Sequence, residues 1–229
     1  MAAPQKNRKI LAMSAAGDKS PVTVGDALAE QVEVRRGPSS PWVEMLHEFG
    51  AVDRAVYEAV ARTPTGRLDG PMRQLSEAAN NSRLWFGIAG VIALLGGRNG
   101  RRAALEGVVS IVVTSATVNL GFKNVHRRQR PQRALEQAFP ERHVPMPKST
   151  SFPSGHAASA FAFAYSIGRH VPALALPMRV LALGVAYSRV HTGVHYPGDV
   201  SVGSVIGAGT GAIVAGVFDR VPTGVHPRS

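Results

Sequence analysis

Residues Asp199–Phe218 read DVSVGSVIGAGTGAIVAGVF, and the only charge in the run is the aspartate that opens it. An apolar stretch of about 20 residues is what a helix needs to cross the hydrocarbon core of a bilayer. Gly203, Gly207 and Gly211 recur within it at every fourth position. That spacing lays a smooth stripe along one helix face and lets a second helix come close, either within one bundle or between two copies.

Working back from this run, four more apolar stretches appear at 84–97, 103–122, 155–169 and 172–188. The stretch 103–122 carries a single charge, Glu106. Several stretches fall short of a full span, and their helices are expected to extend into flanking polar residues, as at 76–84. The expectation is an all-α fold: a polytopic membrane bundle of five to six transmembrane helices. Buried core helices of a soluble protein are the competing reading. The near absence of charge in the second and fifth stretches weighs against it.

Upstream, Trp42, Met45, Leu46, Phe49, Val52, Val56 and Val60 recur at spacings of three and four, which predicts an amphipathic helix over 42–62. Six charged residues in that stretch are too many for a span. The helix either packs on the bundle or lies in the membrane interface. Residues 1–40 are polar and read as a disordered or loosely held tail. The resulting division is a tail at 1–40, an interfacial segment at 41–75, a membrane domain at 76–218 and a C-terminal tail at 219–229.

The chain of 229 residues carries 26 Lys and Arg against 15 Asp and Glu, a formal net charge of +11. Residues 1–83 hold 11 of the cations and 10 of the acids, so the excess lies almost wholly in the apolar part. A basic, apolar protein suits anionic headgroups or phosphate substrates. No nucleic-acid-binding motif accompanies the charge, and no nucleic-acid partner is expected. Absence of cysteine excludes disulfide and thiol chemistry.

Three short runs carry chemistry: Lys123-x6-Arg130-Pro131, Pro153-Ser154-Gly155-His156 and Ser188-Arg189-x5-His195-x3-Asp199. With the apolar stretches alternating across a bilayer, Lys123 follows the second span and Ser154 opens the third. Arg189 follows the fourth and Asp199 opens the fifth. All four positions fall on one membrane face, at helix ends.

Residue types in these runs fit phosphoryl transfer, which needs charge neutralisation, an in-line nucleophile and a proton for the leaving oxygen. Arg130 and Arg189 offer planar forks for phosphate oxygens, and Lys123 adds a point charge. Ser154 is a helix N-cap, and the N–H groups behind it suit an anion. Gly155 lets backbone come close to an oxyanion. His156, in the first turn, is placed for general acid work. Asp199 bonded to one nitrogen of His195 would fix the tautomer and leave the other nitrogen to attack. His191 competes for that role on chemistry alone. A metal site at His195 and Asp199 is the other rival, disfavoured because the nearby cations would repel a metal ion. Arg127, Arg128, Arg133 and Arg142 read as interfacial cations that snorkel or meet lipid headgroups.

The three runs, in this order and at these spacings, resemble the signature of the type 2 phosphatidic acid phosphatase superfamily, which also includes the vanadium-dependent haloperoxidases. The resemblance covers about residues 76–218. It implies an all-helical core and a site at the helix ends, with no metal or other cofactor. It implies His195 as nucleophile, Asp199 as its orienting partner and His156 as acid. Lys123, Arg130, Ser154, Gly155 and Arg189 would bind phosphate, and His191 falls outside the pattern.

The stretch Ala51–Ala164 also resembles the phosphatase half of actinobacterial proteins fused to a lipid-kinase domain. The implied substrate is a lipid-linked phosphate monoester, foremost decaprenylphosphoryl-5-phosphoribose of arabinan precursor synthesis. Phosphatidic acid, phosphatidylglycerophosphate and polyprenyl pyrophosphates follow. A vanadate-dependent haloperoxidase and a non-catalytic lipid-binding protein are the more distant alternatives. Membrane lipids are the other expected partners, and the sequence does not specify an oligomer. Location in a bacterial plasma membrane is expected. The loop 123–153 holds seven Lys and Arg, and with the basic tail counted the positive-inside rule favours a cytoplasmic site.

Overall fold

The computed structural model describes residues 41–122, 128–132 and 139–220, and every regular element among them is helical. In chain order these are α1 Pro41–Arg62, α2 Asp69–Ala78, α3 Arg83–Leu95, α4 Gly97–Ala116, α5 Gly155–His170, α6 Pro172–His191 and α7 Pro197–Arg220. A π-helical turn, Thr117–Phe122, prolongs α4. The described residues from Phe49 onward make one compact unit.

Helix α5 is the hub, packed against α4, α6 and α7. Its small side chains make this possible. Ala157, Ala158, Ala160, Ala162 and Ala164 are all buried, so neighbours close in from several sides. The glycine stripe of α7 lies directly on it. A Cβ added at Gly203 or Gly207 would collide with the carbonyl oxygens of Ser154 and Ala158, and one at Gly211 would lie 3.1 Å from that of Ala162. On another flank, a Cβ at Gly107 of α4 would come within 2.8 Å of the Phe163 ring. The stripe therefore serves packing inside the bundle, one of the two uses the sequence left open.

Among the described residues, three segments are long and apolar enough to cross a membrane: Gly97–Phe122, Pro172–His191 and Pro197–Arg220. At 13 and 16 residues, α3 and α5 reach only about 20 and 24 Å. The first apolar helix does not extend back through 76–84 as expected. Instead α2 stops at Ala78, and the turn Asn80–Ser82 holds Asn81 and Ser82 at φ of 53° and 58°, which no continuous helix accommodates.

Helix α1 forms where the periodicity placed it, but its faces are assigned differently. Tyr57, Val60 and Ala61 pack with Ala157, Ala186 and Val190 of the bundle. Phe49, Val52 and Val56 of the expected apolar stripe point outward and are exposed. One face thus docks on the bundle while another stays apolar and open.

Candidate active site

Each motif is placed by a local device. At the end of α6, Gly193 adopts a φ of +71°, a left-handed turn that glycine enters without strain. The chain then folds back, so the Arg189 carbonyl accepts from the N–H groups of both Val194 and His195 at 3.1 Å. Next comes Pro197 at the first position of α7. Two residues on, Asp199 reaches back so that its Oδ2 accepts from the Tyr196 N–H at 2.9 Å, half of a capping box. Ser154 caps α5, its hydroxyl accepting from the Ala157 N–H at 3.4 Å. The Ser154 N–H donates to the Asp199 carbonyl at 2.9 Å, which ties the second motif to the third.

His195 sits at the centre, 2 % exposed. Its Nδ1 lies 3.6 Å from Asp199 Oδ2, just outside hydrogen-bond range. Its Nε2 lies 3.2 Å from Arg130 Nη1. A guanidinium only donates, so this contact requires a lone pair on Nε2 and puts the ring proton on Nδ1, facing the carboxylate. Burial, outweighing the neighbouring carboxylate and reinforced by the charges of Arg130 and Arg189, lowers the imidazole pKa to about 4. The ring is therefore neutral at ordinary pH.

Arg130 is held by the carbonyls of Val194, Ser149 and Thr150 at 2.7, 2.9 and 3.1 Å. Arg189, also buried, donates to the Ser76 hydroxyl at 2.5 Å and to its carbonyl at 3.2 Å. His156 pairs through Nε2 with Asn80 Oδ1 at 2.9 Å. Around Gly155, a Cβ would meet only Val118 at 3.8 Å, an ordinary contact, so protein packing does not demand glycine there. The structure thus brings Arg130, Ser154, Gly155, His156, Arg189, His195 and Asp199 to one end of the bundle. Lys123 lies outside the described residues, as do Arg127 and Arg133. No group of three or more potential metal-ligating His, Cys, Asp or Glu side chains occurs among the described residues.

Two expected surface cations are structural instead. Arg142 is 2 % exposed. It pairs with Asp69 at 3.1 Å and donates to the carbonyls of Val60 and Ala61 at the end of α1 and of Thr63 just beyond it. The last carbonyls of a helix lack partners within it, and the guanidinium supplies them. His191 joins the same cluster, 2.9 Å from Asp69 Oδ1. Arg128 bridges Asp199 at 2.8 Å and Asp53 of α1 at 2.6 Å, and covers the Tyr196 ring at 4.2 Å. Attraction to these two carboxylates outweighs its burial and raises its pKa.

Sequence reasoning missed Asp53, Ser76, Asn80, Arg128 and Ser151, the last of which donates its hydroxyl proton to Asp199 Oδ2. The Asn80-Asn81-Ser82 turn was the only local signal among them. The rest acquire their partners through tertiary folding, from residues 48 to 145 positions away.

At the opposite end of the bundle, buried Glu106 faces His170 at 2.7 Å. Arg169 pairs with Asp219 at 2.6 Å, and Arg102 donates to the Phe218 carbonyl. These groups close the helix ends away from the site.

The sequence profile of the PAP2 superfamily matches residues 104–222. Decaprenylphosphoryl-5-phosphoribose phosphatase of Mycobacterium tuberculosis is 40 % identical over 131 residues, 56 % of this chain and 70 % of that protein. The protein so named in Mycolicibacterium smegmatis is 35 % identical over 157 residues, 67 % of this chain and 79 % of its own. Among solved structures, the transmembrane PAP2-type phosphatidylglycerolphosphate phosphatase of Bacillus subtilis shares the fold at a TM-score of 0.59 and 23 % identity, over 78 % of this chain and 90 % of that one. LpxE of Aquifex aeolicus follows at 0.56 and 21 %, over 72 % and 95 %. With the family profile spanning residues 104–222 and the apolar helices long enough to cross a bilayer, the chain belongs to the PAP2 superfamily and is an integral membrane phosphoric monoester hydrolase.

Proposed function

We propose that this enzyme removes the terminal phosphate of a lipid-linked monoester through a phosphohistidine on His195. The observation that carries the reading is the tautomer selected at His195: a lone pair on Nε2 beside Arg130, and a proton on Nδ1 toward Asp199. This is the form in which an imidazole attacks phosphorus. The preferred substrate is decaprenylphosphoryl-5-phosphoribose, supported by the names of the relatives that share 35–40 % of their aligned residues with this chain.

In the proposed cycle, the phosphate enters between Arg130, Arg189, Lys123 and the α5 N-terminus, with the N–H groups behind Ser154 and Gly155 turned to its oxygens. His195 Nε2 attacks phosphorus and the P–O bond to the sugar breaks. His156 gives its proton to the departing oxygen. Asp199 balances the charge that His195 gains. Water then attacks the phosphohistidine, His156 accepts the water proton, the P–N bond breaks and inorganic phosphate leaves. The cations meet the phosphoryl charge, so this route calls on no metal or other cofactor.

The same reading takes α3 to α7 as five crossings of a bacterial plasma membrane, with α1 at the interface and the site on the cytoplasmic face. Lipid surrounds the exposed apolar helix faces. The test is phosphate release by the purified protein in detergent with excess EDTA, over a panel of lipid phosphates. Strong preference for decaprenylphosphoryl-5-phosphoribose is expected. Preference for phosphatidic acid, phosphatidylglycerophosphate or a polyprenyl pyrophosphate overturns the substrate assignment, and release from none overturns the mechanism.

A further inference from the structure

Ser76 and Asn80 reach the site on a segment that lies outside all three motifs and outside the stretch matched by the family profile. Ser76 is in the last turn of α2, and Asn80 opens the turn just beyond it. Ser76 holds the Arg189 guanidinium, and Asn80 Oδ1 meets His156 Nε2 at 2.9 Å. The turn is pinned on both sides, because Ala79 and Trp85 are buried in one core cluster. Between these anchors, Asn81 and Ser82 are both held at left-handed φ. Neither is a glycine, and two such residues in succession persist only where the surrounding structure imposes them, most often beside a functional site. What the turn accomplishes is to stop α2 and set the Asn80 amide against the first turn of α5.

An amide oxygen only accepts, so its contact with His156 requires a proton on Nε2. His195 is the reverse case, with a lone pair on Nε2. When His156 is the imidazolium, its second proton is on Nδ1. With the Nε2 proton held by Asn80, the Nδ1 proton is the one that moves to the departing oxygen. The ring left behind is the neutral Nε2–H tautomer, and its Nδ1 lone pair can take the proton of the attacking water. A carboxylate in place of the amide would hold the same Nε2 proton but would repel an incoming phosphate.

We infer that Asn80 is a positioning residue for the acid: it fixes the ring and the tautomer of His156, and the strained turn behind it is what delivers it there. The inference rests on the reading of His156 as general acid given above.

The test compares two substrates on the full chain in detergent. Dodecyl phosphate expels an alkoxide and needs a proton; p-nitrophenyl phosphate expels a stable phenolate and does not. The readout is kcat/KM, which reports the step that expels the leaving group. His156→Ala should cost about 100-fold or more on dodecyl phosphate and far less on p-nitrophenyl phosphate. Asn80→Ala should show the same contrast on a smaller scale, about 10- to 100-fold on dodecyl phosphate, as when a partner that orients a reactive side chain is lost. Asn80→Asp keeps the acceptor and adds a charge that favours the imidazolium. It should therefore keep the ratio between the two substrates, raise KM, and move the alkaline limb of the dodecyl phosphate profile to higher pH. Equal losses on both substrates in Asn80→Ala, with the contrast kept in His156→Ala, overturn the inference and leave the acid in place. Equal losses in His156→Ala overturn the acid and the inference together. Should Asn80→Ala fail to fold, an alkaline limb that stays in place in Asn80→Asp overturns the inference by itself.

Discussion

Arg128 donates to Oδ1 of Asp199 at 2.8 Å, while Oδ2 of that carboxylate accepts from the Ser151 hydroxyl and the Tyr196 N–H. The carboxylate that faces His195 is thus fixed from three sides by groups outside the signature. Arg128 is itself anchored by Asp53, whose other oxygen accepts from the Gly198 N–H at 2.6 Å. A chain of contacts therefore runs from α1 to the carboxylate beside His195. Arg128→Ala should lower kcat roughly 10- to 100-fold, the usual effect of losing an outer partner of a reactive group. KM should change little, because Arg128 lies behind Asp199. Arg128→Lys should restore part of the loss. Steady-state kinetics on both variants, with folding checked by thermal unfolding, decides this. A change confined to KM would place Arg128 in substrate binding instead.

His195 should titrate far below an ordinary histidine. Burial and the charges of Arg130 and Arg189 disfavour the imidazolium and bring its pKa to about 4. The sign follows directly. A lowered pKa keeps the ring neutral through neutral pH, and protonation removes the Nε2 lone pair that the proposed mechanism uses only as pH falls through about 4. Ring-nitrogen NMR of the ligand-free protein should show His195 unprotonated at pH 5.5, where a solvated histidine of pKa about 6.5 is mostly charged. A midpoint near 6.5 would mean that the site is wet.

The glycine stripe gives an internally controlled stability test. A Cβ at Gly207 would overlap the carbonyl of Ala158, whereas nothing lies within 4 Å of one at Gly209. Both residues sit in α7, so helix propensity acts alike on the two. Gly207→Ala should lower the thermal midpoint in detergent, with an overpacking cost of about 1–3 kcal/mol. Gly209→Ala should leave it unchanged or raise it slightly. Equal effects would show that α7 does not press on α5 through this face.

Much of this arrangement was legible in the sequence because it is local. The apolar runs gave α4 to α7, Ser154 marked a helix start, and Pro197 with Asp199 marked another. Alternating helices led to the expectation that the motifs meet at one end of the bundle. What was not legible is what distant residues do to each other. Nothing near Arg142 in sequence announces that it caps α1, or that Asp69 receives both Arg142 and His191. The outward turn of Phe49, Val52 and Val56 was hidden for a related reason. A periodic apolar stripe shows that a helix has a face, but in a membrane protein both protein and lipid satisfy it.

The burial of Arg142 and Arg128 also changes the orientation argument. The loop 123–153 holds seven cations, but these two are neutralised by Asp69, Asp53 and Asp199 and do not act as free surface charge. Arg130 is likewise committed to the site. The case for a cytoplasmic site therefore rests mainly on Lys6, Arg8, Lys9, Lys19, Arg35 and Arg36 of the N-terminal stretch. The chain contains no cysteine, so single-cysteine labelling needs no background removal. Lys148→Cys reports the catalytic side, and Arg98→Cys, at the start of α4, reports the other. In intact cells a membrane-impermeant maleimide should modify Cys at 98 and spare Cys at 148 until the membrane is opened. The reverse pattern would put phosphate release outside the cytoplasm, and the substrate would then have to cross the membrane before it was cleaved.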